Sequence, residues 1–325
     1  VVVINTLPAV FTVTGGGSYC AGGLGVHVTL SGSSAGVNYQ LYRGGVAVGG
    51  LIPGTGLALD MGVQFFAGSY TVSAVNATTG CTANMTGTSI VAINALPAVY
   101  TLSGGGSFCA GGTGLNIVVG GSTSGIQYQL YRGSVAVGGP MMGTGSPLTF
   151  GPFTTAGTYT VKATDPVTGC FSNMTGSIAI SVNPLPASFS VFGGGSYCAG
   201  GSGVMVSMSG SEAGISYQLF IDGVASGSPV IGSGTAINFG LQTIAGVYTV
   251  VATNNTTTCT KNMLGSATVT IDALPAVYNV TGGGSYCDGG TGVHIGLSGS
   301  STGVTYQLRI GSTPVGSAIA GTGGV

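Results

Sequence analysis

Hydrophobic and polar residues alternate with a period of two along much of the chain, which predicts β-strands rather than helices. The inward-facing set of an early strand is predicted to be Leu24, Val26, Val28 and Leu30. Two later strands are predicted to face inward with Val37, Tyr39 and Leu41, and with Tyr70, Val72 and Ala74. Turns rich in Gly, Ser and Thr separate such strands at intervals of roughly 8–12 residues, a pattern typical of an antiparallel β-sandwich.

The same pattern recurs at a fixed spacing. A Leu-Pro pair stands at Leu7, Leu96, Leu185 and Leu274, each 89 residues after the last, and Tyr-Gln-Leu recurs at the same interval. We therefore predict repeats at residues 6–94, 95–183 and 184–272, an incomplete repeat at 273–325, and the end of a preceding repeat at 1–5. Repeats of this size are domains, because solenoid units are only about 20–50 residues long.

Several markers of each repeat resemble a known family. Ala-Gly-x-Tyr-Thr-Val, which begins at Ala67, Ala156 and Ala245, resembles the tyrosine corner of immunoglobulin-like sandwiches. Together with Leu-Pro, Cys-x-Gly and a later Gly-Cys pair, the order of motifs resembles the Ig-like or PKD-like tandem repeats of secreted, adhesin-type Bacteroidetes cell-surface proteins. The resemblance implies an all-β tandem array of Ig-like antiparallel β-sandwich domains and secretion to the cell surface. Family members often carry Trp two residues after the Tyr of strand C, whereas Leu41, Leu130 and Leu219 stand there in this chain.

Charged residues are scarce. Five Lys/Arg and six Asp/Glu among 325 residues make 3% of the chain, against about a quarter in an ordinary domain. With 44% hydrophobic residues, the chain does not have the composition of a disordered protein. The near-zero net charge provides no basic face for nucleic acid, and no apolar run reaches the roughly 18 residues of a membrane span. An uncharged surface favours self-association.

The seven cysteines follow the repeat. A first set comprises Cys20, Cys109, Cys198 and Cys287, and a second set comprises Cys81, Cys170 and Cys259. Such regularity indicates disulfides and an oxidising, extracellular location. No Cys-x-x-Cys or accompanying His suggests a metal site.

Strand boundaries read from the sequence leave two disulfide connectivities open. Pairing within each repeat, the favoured prediction, gives Cys20–Cys81, Cys109–Cys170 and Cys198–Cys259. The alternative joins neighbouring domains as Cys20–Cys170 and Cys109–Cys259, because the F–G end of one domain abuts the A–B end of the domain before it.

The glycine-rich hexapeptide at residues 15–20, GGGSYC, has copies at 104–109, 193–198 and 282–287. A phosphate-binding loop would need a following helix, whereas a strand follows here, so we interpret the hexapeptide as a turn. His27 and His294 share a repeat position that Asn116 and Met205 occupy elsewhere, and the carboxylates are scattered. The sequence therefore predicts no catalytic residues, no metal and no cofactor.

One outward-facing strand is the candidate contact surface. Its residues are Gln40 and Tyr42, Gln129 and Tyr131, and Gln218 and Phe220. The aromatic residues either pack within the domain or contact a glycan or a neighbouring subunit. We predict a disulfide-stabilised extracellular stalk or filament that self-associates through neighbouring repeats or chains; the alternative is an adhesin whose repeats contact glycans or another surface.

Overall fold

The computed structural model describes residues 2–325, which are built from strands and turns and contain no helix. It forms two compact units, one extending to Val182 and the other spanning Asn183–Val325. Because residues 2–325 contain no helix, they contain no helical segment that could cross a membrane.

Nine strands lie between residues 13 and 94, and the two following stretches have the same set. The first set is β1 Val13–Gly15, β2 Gly17–Cys20, β3 Val26–Leu30, β4 Val37–Arg43, β5 Val46–Pro53, β6 Leu59–Gln64, β7 Gly68–Asn76, β8 Thr82–Asn84 and β9 Ser89–Asn94. The second set is β10 Leu102–Gly104, β11 Gly106–Cys109, β12 Leu115–Val119, β13 Gln127–Arg132, β14 Val135–Met142, β15 Leu148–Phe153, β16 Gly157–Thr164, β17 Phe171–Asn173 and β18 Ile178–Asn183.

The second unit contains the remaining strands. They are β19 Val191–Gly193, β20 Gly195–Cys198, β21 Val204–Met208, β22 Ile215–Ile221, β23 Val224–Ile231, β24 Ile237–Gln242, β25 Gly246–Asn254, β26 Thr260–Asn262 and β27 Ala267–Asp272. Short strands follow: β28 Val280–Gly282, β29 Ile295–Leu297, β30 Thr305–Tyr306, β31 Arg309–Ile310, β32 Thr313–Pro314 and β33 Ile319–Ala320.

Each set of nine strands makes one sandwich of two sheets. In the first set, a three-stranded sheet has the order β1-β3-β6, and a six-stranded sheet has the order β2-β9-β7-β4-β5 with β8 beside β7. All these pairs are antiparallel except β2 with β9, which is parallel. This arrangement is an Ig-like sandwich, and its strands correspond to A, A′, B, C, C′, E, F and G, with β8 as a short extra strand between F and G.

The inward residues predicted for strands C and F form the core. Tyr39, Leu41, Val72 and Ala74 are all buried, as are their equivalents in the next two sandwiches. Leu24 is an exception and corrects the prediction, because it is 91% exposed. Gly25, with φ of +73°, breaks the extended backbone after Leu24, so the strand begins only at Val26.

The glycine triplet carries the chain from one sheet to the other. β1 ends at Gly15 in the three-stranded sheet, and β2 begins at Gly17 in the six-stranded sheet. Gly15 and Gly16 have φ of +81° and +73°, and a side chain at Gly16 would collide with the Ser89 hydroxyl and the Ile90 carbonyl. Glycine is required at this crossing because other residues rarely adopt positive φ and would not fit the space.

The tyrosine corner predicted from the sequence is present. The Tyr70 hydroxyl donates to the carbonyl of Phe66 at 2.8 Å, and Tyr159 and Tyr248 donate to the carbonyls four residues before them. A second buried tyrosine, Tyr39 on β4, accepts a hydrogen bond from the Ser34 amide at 2.9 Å. Two tyrosines therefore fill each core where related sandwiches use Trp.

The glutamines of strand C have a structural role. The β4–β5 register shifts between Tyr39 and Leu41, and Gln40 lies at this bulge. Its side-chain Nε2 donates to the carbonyls of Leu41 and Val48 at 3.0 Å and lies 3.3 Å from that of Gly49. Gln129 and Gln218 make the equivalent bonds. The amide thus supplies donors to carbonyls that the bulge removes from the regular ladder.

We predict that Tyr70→Phe destabilises the first sandwich by about 1–2 kcal/mol, because it leaves the Phe66 carbonyl without its donor. Hydrogen exchange should become faster than in the parent chain within residues 13–94, while exchange in the second unit should not change. The control is Tyr42→Phe, because the Tyr42 hydroxyl has no partner within residues 2–325 and Phe220 stands at its position in the third sandwich. Equal effects of the two substitutions would contradict the role of the corner.

We also predict that Gln40→Met, which keeps the chain length but removes the donor, costs about 1 kcal/mol. Amides of β4 and β5 should exchange faster, while those of β3 and β6 should not. Ser73→Ala, on the neighbouring strand and the same face, serves as the control. Unchanged exchange in Gln40→Met would show that the bulge does not depend on the glutamine.

Candidate functional site

The two cysteine sets lie at opposite ends of each sandwich. β2 ends at Cys20, which pairs in register with Asn94, the last residue of β9. β7 runs antiparallel to β9, and Cys81 follows the far end of β7. At about 3.3 Å per residue, the length of β7 separates the two cysteines by roughly 30 Å. Cysteines so far apart cannot form a disulfide, whose Cα atoms lie within about 7 Å.

The structure joins two neighbouring sandwiches instead. Cys20 is bonded to Cys170, 150 residues later in sequence, with a Cα–Cα distance of 5.5 Å. This disulfide is the alternative pairing predicted from the sequence. The favoured pairing Cys20–Cys81 is corrected, and so is Cys109–Cys170, because Cys170 is already bonded to Cys20.

The other cysteines fall into two groups. Cys109 and Cys259 are both disulfide-bonded. Cys81, Cys198 and Cys287 are free thiols, and the last two are exposed. Since Cys198 is free, the prediction Cys198–Cys259 is also wrong.

The loop before Cys170 is held by a carboxylate. Asp165 accepts hydrogen bonds from the amides of Val167, at 2.8 Å, and Thr168, at 3.4 Å. The bonds from Val167 and Thr168 lower the pKa of this carboxyl, because they stabilise its charged form. Asn76 and Asn254 hold the same turn in the flanking sandwiches, bonding Thr78 and Thr256. These residues position the strand F end that carries the second cysteine set.

The candidate contact face divides into two kinds of residue. Its glutamines are bonded to the bulge of their own hairpin, so their recurrence is explained by the fold. Its aromatic residues are half-buried and differ in their surroundings. In the second sandwich the Lys162 Nζ lies 5.6 Å from the ring centre of Tyr131 and 5.1 Å from that of Phe171, in cation–π range.

In the first sandwich the aromatic residue borders an open cleft. The cleft, of about 300 Å³, is lined by Tyr42, Thr71, Ser73, Asn84 and Met85, among others. Sequence reasoning identified Tyr42 but not its neighbours, because Thr71, Ser73 and Asn84 come together only through the pairing of β7 with β4 and β8.

A larger apolar groove of about 500 Å³ lies within residues 280–325. Its lining includes Val280, Ile295, Leu297, Tyr306 and Leu308. The equivalent residues in the first sandwich, 267 positions earlier, are buried core residues. The groove therefore corresponds to the interior of a sandwich and not to a shaped ligand site.

The ionisable residues form no cluster of the metal-binding kind in the described chain. His27 Nδ1 lies 2.8 Å from the Asp60 carboxylate, and both side chains are more than half exposed. His294 is also exposed. An exposed pair of this kind contributes little to stability.

Comparison with known proteins agrees with this architecture. Residues 97–184 match the family described as Ig-like domain, CHU_C associated. No curated relative matches the chain.

Solved structures with similarity to the chain include several tandem domain arrays. Sidekick-1 immunoglobulin domains 1–4 are 13% identical, with 96% of this chain and 85% of that chain covered and a TM-score of 0.23. The N-terminal eight Ig domains of the Down syndrome cell adhesion molecule are 15% identical, with 84% and 38% covered and a TM-score of 0.35. Fibronectin(III)-like modules of Clostridium thermocellum CbhA are 14% identical, with 53% and 95% covered and a TM-score of 0.30.

With identities and TM-scores this low, the fold assignment rests on the strand order of each sandwich and on the family match. Both agree on the same class of domain. The chain is a tandem of Ig-like repeats, and its second repeat matches the CHU_C-associated Ig-like family.

Proposed function

We propose that this chain is a non-catalytic structural protein of the cell exterior, in which Ig-like repeats are cross-linked into a stalk or filament. The observation that carries the proposal is the Cys20–Cys170 disulfide, which joins the first repeat to the second. A bond inside one repeat would stabilise only that domain. A bond between repeats also restricts how the two domains can move, which is useful in a spacer under load.

The cross-link also opposes unfolding. Closing a loop of 150 residues stabilises the folded state by roughly 5 kcal/mol on the chain-entropy view. By the 89-residue spacing, Cys109 and Cys259 are the next pair in the series, and we assign them to each other on that ground.

An extracellular location follows from the same chemistry. Structural disulfides form and persist in oxidising compartments and are rare in the cytosol. The near absence of Lys and Arg also leaves few sites for trypsin-like proteases. The resemblance to secreted Bacteroidetes surface repeats supports the same location.

The second candidate function is a binding module. The observation that favours it is the open cleft beside Tyr42, whose hydroxyl and amide groups are not used by the fold. A stalk can carry such a cleft on one of its repeats.

The connectivity is tested by peptide mapping without reduction. We expect a cross-linked pair of peptides containing Cys20 and Cys170, and another containing Cys109 and Cys259. A peptide pair linking Cys20 to Cys81 would contradict the inter-repeat staple. Labelling of intact cells with an antibody against the repeats tests the location, and signal only after lysis would contradict it.

Electron microscopy tests the structural role. Native material at neutral pH should show extended rods or filaments, and the double variant Cys20→Ser/Cys170→Ser should bend more widely between its first two repeats. Cys81→Ser, which removes a thiol that is free in the structure, is the matched control. Indistinguishable bending in all three would show that the disulfide does not restrict the domains.

A further inference from the structure

The cleft of the first repeat is created by a break in the sheet. We call the group Tyr42, Thr71, Ser73 and Asn84 the strand C cleft. Tyr42 is in register with Thr71, and Ser73 is in register with Asn84, so all four side chains share the outer face of the six-stranded sheet. After Asn84 the chain turns inward and buries Met85. Strand β9 starts only at Ser89, so on the side of β7 that faces away from β4 no strand lies beside Thr71.

The polar groups of the strand C cleft are free to bind a ligand. Within residues 2–325, the side chains of Thr71, Ser73 and Asn84 make no hydrogen bond, and neither does the Tyr42 hydroxyl. The fold therefore does not require these groups, in contrast to Gln40 on the same face. Two of them nevertheless recur, as Thr160 and Thr249 and as Asn173 and Asn262.

We propose that the strand C cleft binds a neutral saccharide. Hydroxyl and amide groups can both donate to and accept from sugar hydroxyls, and no charged side chain lines the cleft. The Tyr42 ring provides an apolar, electron-rich face for the C–H groups of a sugar ring. A volume of about 300 Å³ is at the small end of ligand sites and suits one or two sugar units.

The second and third repeats indicate which position controls access. Ser73 is replaced by Lys162 in the second repeat, where the ammonium group covers Tyr131 and contacts Phe171. Val251 stands there in the third repeat and removes the hydroxyl. Among the first three repeats, the first is therefore the one that combines a tyrosine not covered by lysine with hydroxyl and amide groups at all the other positions of the cleft, and saccharide binding is assigned to it.

These natural differences supply matched variants. Ser73→Lys gives the first repeat the residue of the second and should close the cleft, while the second repeat shows that the fold tolerates Lys there. Tyr42→Ala removes the apolar face, and Tyr42→Phe keeps it. The counterpart Tyr131→Ala in the second repeat is the control for a general effect of losing a strand C aromatic.

The experiment is an NMR titration of the full chain with linear neutral hexaoses of glucose, mannose and galactose. We expect at least one of the three to bind saturably, with shifts confined to amides around the strand C cleft. Ser73→Lys and Tyr42→Ala should each weaken binding about tenfold or more, while Tyr42→Phe and Tyr131→Ala should change it less than about threefold. Amide exchange of the core of Ser73→Lys, unchanged from the parent, would show that the variant is folded.

Three outcomes would overturn the proposal. They are the absence of saturable binding to all three hexaoses, binding that Ser73→Lys leaves intact, and shifts that map to another surface. The saccharide proposal does not depend on the inter-repeat disulfide. If no saccharide binds, the stalk proposal is unaffected, and if the disulfide does not restrict the domains, the cleft is still present.

Discussion

The scarcity of charged side chains constrains how this fold protects the edges of its sheets and how it joins its domains. Edge strands expose unpaired backbone groups, and proteins commonly protect them with Lys or other charged side chains. With 3% charged residues, this chain has few such side chains for its edge strands. At the β5 edge, a bulge interrupts the ladder and the Gln40 amide bonds the carbonyls that the bulge displaces. A side-chain amide thus supplies the donors that these carbonyls of the edge hairpin need, which explains why the glutamine recurs on an outward face.

The glycine triplet determines where the cysteines lie. Because positive φ at Gly15 and Gly16 lets the chain cross between sheets, the next four residues can pair in parallel with β9. That pairing brings Cys20 to the carboxyl end of its own sandwich, beside the start of the next repeat. The hexapeptide therefore links a local conformational requirement to a cross-link between domains. A glycine replaced at the crossing would alter both the sheet order and the position of the thiol.

The sequence was sufficient for the features that depend on a regular period. The 89-residue spacing, the alternation of strands C and F and the tyrosine corner at Tyr70 all follow from short patterns that the structure reproduces. It was insufficient where a residue's role depends on which strands become neighbours. The segment containing Cys20 is four residues long and has no alternation, so its parallel pairing with β9 could not be predicted, and the preferred disulfide was wrong. Gln40 was interpreted as a contact residue because its bulge is visible only in the register.

The same limit applies to the strand C cleft, and it bears on how an array of near-copies can acquire a specific function. Every repeat must keep its core, and the buried tyrosines and valines do recur. The outer face of strand F is under no such requirement, and there the repeats differ at the position of Ser73, Lys162 and Val251. Thr71 and Asn84 keep their equivalents on either side, whereas Lys162 of the second repeat lies against Phe171, which replaces Thr82 of the first repeat. A tandem array can therefore keep the same core in every domain while the outer face of one copy diverges, without any change to the residues that fold it.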